Sequence, residues 1–108
     1  MNDFIKGQLN TYCELVNGGK PTAMLALQDR YVEIAKNIID NQYKLKFYIE
    51  DLSEGWVTLW IYKESYMINI VRELPKQPKT IFEHWVLGKA FGYSEQSIKE
   101  FLEINRFV

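Results

Sequence analysis

The 108-residue chain is 47% apolar or aromatic and carries 13 basic against 14 acidic side chains, a formal net charge of −1. That length supports one core and one domain, residues 1–108, and the balanced charge provides no overall field to steer the protein toward nucleic acid or an anionic membrane. The lone cysteine, Cys13, excludes an internal disulfide. No stretch approaches the roughly 18 consecutive apolar residues of a membrane span, and Asp3 precedes any basic residue where a secretory leader would be basic, so the expectation is a soluble, cytoplasmic protein.

Asn2 to Val16 places Ile5, Leu9, Tyr12, Cys13 and Val16 at helical spacing, with Phe4 flanking the stripe. Gly18 and Gly19 supply a left-handed stop, and Gly7 inside the helix marks either close packing or a tolerated weakness. After Lys20-Pro21-Thr22, the apolar run Ala23 to Leu27 has no decisive period and fits a buried connection or an early helical turn. From Gln28 to Asn41 the spacing of Tyr31, Ile34, Ala35, Ile38 and Ile39 predicts an amphipathic helix, with Asp29 complementing the dipole of its first turn.

Lys44 to Tyr62 is the stretch with clear period-two patterning and reads as a β-hairpin turning through Asp51-Leu52-Ser53-Glu54-Gly55. Leu45, Phe47 and Ile49 share one face with Val57, Leu59 and Ile61. Lys44, Lys46, Tyr48 and Glu50 share the other with Trp56, Thr58, Trp60 and Tyr62. A hairpin is marginal alone in water, so helices must cover at least its aliphatic face. Glu64 to Leu74 fits a helix through Met67, Ile70, Val71 and Leu74 better than it fits a third strand through Tyr66, Ile68 and Ile70.

Pro75 and Pro78 make residues 75–79 an extended linker. Thr80 and Glu83 then form a capping box, so a helix starts at Thr80 and runs through Trp85 and Ala90 to Phe91, with Gly92 terminating it. Ser94 caps a last helix whose stripe is Ile98, Phe101 and Leu102, and Phe107 and Val108 fold back on it. The predicted architecture is α+β, with helices flanking a small antiparallel hairpin or three-stranded sheet and a C-terminal helical pair.

Leu87 to Leu102, with a small residue in the first helix, glycine in the turn and a serine cap, resembles a DNA-binding helix-turn-helix. The outward positions of its second helix, Glu95, Gln96, Lys99, Glu100 and Glu103, hold three carboxylates to one amine, a poor surface for a polyanion. More widely, Gly55-Trp56, Leu59 to Lys63, the Pro75 to Thr80 linker, His84 to Lys89 and Gly92-Tyr93-Ser94 resemble small uncharacterised proteins of Gram-positive bacteria and their phages. That resemblance implies a bacterial cytosolic or mobile-element origin and carries no site residue with it.

Catalytic chemistry finds few footholds. The only histidine, His84, follows Glu83, which the cap already claims, and adjacent helical side chains diverge by about 100°. Asp51 and Glu54 lack the further oxygen ligands that a cation site needs. The residues left as candidates are aromatic: Trp56, Trp60, Tyr62 and Tyr48, bordered by Arg30. Such rings serve as core, as anchors for a protein partner, or as stacking platforms for a nucleotide-like ligand. Trp56, beside Gly55, is the ring expected to be exposed, and Trp60 the one expected to be buried. The sequence thus favours a non-catalytic module without cofactor or metal that binds a host protein through its aromatic face. Sequestration of a small nucleotide-like ligand and DNA binding are the alternatives.

Overall fold

In the computed structural model, which describes residues 1–108, three strands form one antiparallel sheet. They are β1 (Thr22–Gln28), β2 (Lys46–Ser53) and β3 (Trp56–Tyr62), in the order β1-β3-β2. The central place falls to β3, whose Val57, Leu59 and Ile61 on one face and Trp60 and Tyr62 on the other are all buried. A strand apolar on both faces needs a layer on each side.

The first layer comes from the N-terminal half. Helix α1 (Asp3–Asn17) is capped by Asn2, whose side chain accepts from the Ile5 amide at 2.9 Å, and it buries Leu9, Cys13 and Val16. A helical stretch after β1 runs as a 3-10 turn (Asp29–Tyr31), α2 (Val32–Asn37) and a π turn (Ile38–Gln42), burying Ala35, Ile38 and Ile39. These side chains close over Ala23, Leu25, Leu27, Leu45, Val57, Leu59 and Ile61 as the main core. Full burial of a Leu or Ile is worth about 1.5–3 kcal/mol, so this face carries most of the stability.

The second layer follows the hairpin: α3 (Met67–Glu73), α4 (Ile81–Ala90) and α5 (Glu95–Ile104). Val71, Leu74 and Ala90 close over Trp60 as a smaller cluster, with Tyr48, Val86, Leu87 and Phe91 at its margin. The capping box at Thr80 and Glu83 is formed, and Ser94 caps α5 by accepting from the Ser97 amide. Gly88 lets the helical pair approach, since a Cβ there would lie 2.7 Å from Ile98 Cγ1. Phe107 folds back against His84 with ring centroids 4.7 Å apart, whereas Val108 is exposed.

Several expectations need correction. Ala23 to Leu27 is neither a connection nor a helical turn but most of β1, the third strand of the sheet. The hairpin turn is Glu54-Gly55, with Gly55 at φ 77°, and Asp51 to Ser53 belong to β2 across a bulge. Lys44 lies before β2 in a left-handed conformation, φ 56°. Gly18 caps α1 in a right-handed conformation and the left-handed residue is Gly19, φ 118°. Nothing lies within 4 Å of a Cβ built on Gly7, so no close packing requires it. The stretch after Tyr62 is helical, as its spacing suggested.

Candidate functional site

The second face of the sheet is only partly roofed, because two short helices and a proline linker cover it. Met24, Ala26, Thr58 and Trp60 contribute to an open groove of about 360 Å³ together with Leu74 at the end of α3, Pro75 and Lys76 of the linker, and Leu87 and Phe91 from the end of α4. Glu50, Asp51 and Leu52 of β2 line it as well. Its volume lies at the lower end of the range for small-molecule pockets.

One polar link fixes the β2 side of this groove. Glu50 accepts from Trp60 Nε1 at 2.9 Å through one carboxylate oxygen and from Lys76 Nζ at 2.9 Å through the other. The bond to Glu50, and then its charge, hold the Lys76 ammonium above its ordinary pKa. Lys76 is exposed while the Glu50 side chain is only 17% exposed, so the linker is pinned to the sheet by a largely covered carboxylate.

The aromatic candidates divide. Trp60 is 6% exposed, and its ring stacks on Phe91 with centroids 5.9 Å apart and planes 5° from parallel. Tyr62 is buried near the opposite end of β3 from the turn, and burial pushes its phenol pKa up. Tyr48 is half-buried beneath the Arg72 guanidinium, 5.1 Å from the ring centroid. Trp56 is 40% exposed, paired with Gln28 in the ladder, and next to the bulge that turns Leu52 out to 55% exposure. Arg30 is exposed at the same end, donating to Gln28 Oε1 at 2.7 Å and lying over the Tyr31 ring. The fold therefore gathers Trp56, Arg30 and Leu52 at the hairpin end, sets Trp60 and Tyr48 deeper in the sheet, and separates Tyr62 from both.

Met24, Ala26 and Leu52 escaped sequence reasoning. The first two belong to the strand whose period was not recognised, and Leu52 sits in a bulge that breaks the alternation. Leu74 was legible as the end of a helix and Pro75 and Lys76 as the start of an extended linker, but nothing in their composition says which surface they border.

The C-terminal pair has a second concavity, about 470 Å³, where His84, Leu87, Gly88 and Phe101 meet. His84 packs on Phe101 and Phe107. On the outward face of α5, Gln96 donates to Glu100 at 3.0 Å and Lys99 lies 3.9 Å from Glu103, while Lys89 of α4 pairs with Glu95 at 2.6 Å. Carboxylates thus engage Gln96 and Lys89 directly and lie close to Lys99, on the face that a nucleic acid would meet. No three His, Cys, Asp or Glu side chains converge as a metal group, and no helix is long and apolar enough to cross a membrane. Compared with family models, curated proteins and solved structures, the chain matches none.

Proposed function

We propose that the protein is a non-catalytic interaction module, of bacterial or phage origin, that binds a host protein through the aromatic end of its sheet. The observation that carries this reading is the contrast within one strand face: Trp60 is covered and internally bonded, whereas Trp56 stands 40% exposed beside the bulge that carries the exposed Leu52. Desolvated tryptophan and arginine are the side chains that most often dominate a protein interface, and Trp56 and Arg30 lie at the same end of the sheet. Trp56 is the anchor in this reading, Arg30 its polar border, and Tyr48, Trp60 and Tyr62 hold the surface in shape.

The alternatives gain less support. A nucleotide-like ligand in the groove would find Trp60 already stacked on Phe91 and two carboxylates, Glu50 and Asp51, in the lining. A duplex approaching α5 would meet the paired, acidic surface described above. The test is capture from a Gram-positive host lysate with wild-type protein and with Trp56→Ala, both shown to be folded by circular dichroism. A host protein retained by the wild type and lost from the variant supports the reading. Equal retention by both, or no retained protein, defeats it.

A further inference from the structure

Strand β1 lies at one edge of the sheet, with β3 on one side and no strand on the other. The Asp29 amide donates to the Gly55 carbonyl at 3.0 Å, one step beyond the Gln28–Trp56 pair. That bond sets the phase of the ladder, because bonded and non-bonded pairs alternate between antiparallel strands. Ala23, Leu25 and Leu27 therefore exchange bonds with β3, while Met24 and Ala26 direct their N–H and C=O groups away from it. Both are exposed, Met24 to 42%, and no bond outside the ladder reaches their backbone.

The two edges of the sheet are built differently. Edge β2 carries Lys46, Glu50 and Asp51 and a bulge between Asp51 and Ser53. Charges and bulges are the usual means of stopping an edge from pairing with another chain. Strand β1, Thr-Ala-Met-Leu-Ala-Leu-Gln, has no charge, proline or bulge.

We propose that β1 pairs with β1 of a second copy of this chain, antiparallel about a two-fold axis at Leu25, to join the two sheets edge to edge. In this register Met24 faces Ala26 of the second copy and Ala26 faces its Met24. Each pair can exchange two backbone bonds, because both residues point outward. The side chains also match, a long flexible methionine lying beside a small alanine on the open face of the sheet. A second copy fits better than an arbitrary strand for two reasons. One segment supplies both halves of the match, and the near-neutral chain sets up little repulsion between copies. A two-fold contact uses the same patch twice and closes on itself, and the guarded β2 edge prevents further growth. This contact does not use Trp56, so it stands or falls apart from the function proposed above.

Mass in solution and amide exchange test it together. The wild type should sediment at twice the monomer mass, and the Met24 and Ala26 amides should exchange more slowly as protein concentration rises. Ala26→Pro deletes an N–H that points away from β3, a place where an edge strand tolerates proline, and should give a folded monomer. Met24→Lys should do the same by placing a charge at the contact, and it carries the test alone if the proline variant does not fold. A wild type that is monomeric at every concentration, with freely exchanging Met24 and Ala26 amides, overturns the proposal and leaves the edge open to a strand of another protein. A dimer that survives both substitutions overturns it too.

Discussion

The indole N–H of Trp60 donates to the Glu50 carboxylate at 2.9 Å, diagonally across the seam between β3 and β2, where Trp60 faces Tyr48 and Glu50 faces Thr58. Trp60 is only 6% exposed, so its N–H has little access to water, and Glu50 holds the Lys76 ammonium through its other oxygen. Glu50→Ala should therefore cost about 1–3 kcal/mol, the penalty for leaving a buried donor without a partner. Lys76→Ala removes an exposed ion-pair partner and should cost clearly less than Glu50→Ala. Urea denaturation of the two variants checks the difference, and equal losses would mean that the ion pair, not the indole bond, matters.

The two tryptophans of β3 should separate in the same assay. Trp60→Ala leaves a cavity between the sheet and Phe91 and is expected to cost about 3–5 kcal/mol. Trp56→Ala gives up a partly exposed ring and should cost markedly less. A Trp56 variant as unstable as the Trp60 variant would show that the exposed ring is structural.

Thr80→Ala should lower stability by about 1 kcal/mol, since it deletes the hydroxyl that accepts from the Glu83 amide. The amides of Lys79 and Thr80 and the Thr80 hydroxyl donate to the Glu83 carboxylate and hold its pKa below the ordinary value, with the Lys79 amide the largest cause. A depressed folded-state pKa means that this contribution is complete above the unfolded carboxylate range and fades as pH falls through the folded value. Comparing wild type with Glu83→Gln across acidic pH should show their stability gap narrowing as pH drops. A constant gap would contradict the linkage.

Glycine to alanine should have opposite signs at two helical positions. At Gly7 nothing lies within 4 Å of the added Cβ, and the gain in helix propensity should stabilise by up to about 1 kcal/mol. At Gly88 the Cβ would meet Ile98 Cγ1 at 2.7 Å and Cδ1 at 2.8 Å, and overpacking should destabilise by about 1–3 kcal/mol. Ile98→Val or Ile98→Ala in the Gly88→Ala background should recover part of the loss, which a double-mutant cycle reads directly.

The hairpin was legible because its first face is aliphatic and tied to a strict alternation, and the C-terminal helices because their caps are written in the sequence at Thr80, Glu83 and Ser94. Strand β1 was hidden. Ala23, Leu25 and Leu27 are buried and Met24 and Ala26 are exposed, yet all five are apolar, so hydropathy shows no period even though burial does. The roles of Trp56 and Trp60 depend on where α4 comes to rest after the Pro75–Lys79 linker, a tertiary relation that local spacing does not encode. Exposure of Trp56 could be read from its place beside the turn, but the groove formed with residues 74–76 could not.

Strand β1 pairs with β3 and not with β2, so Thr22 finds Tyr62 and Gln28 finds Trp56 across the whole intervening chain. During synthesis the first strand leaves the ribosome well before its partner exists, whereas β2 and β3 emerge together and can zip at once through the Glu54-Gly55 turn. Until then, only α1 and the helical stretch after Gln28 are present to shelter Ala23, Leu25 and Leu27. The hairpin can thus form before β1 has a strand to join, and β1, with no charge or proline to guard it, is open to wrong pairing while it waits.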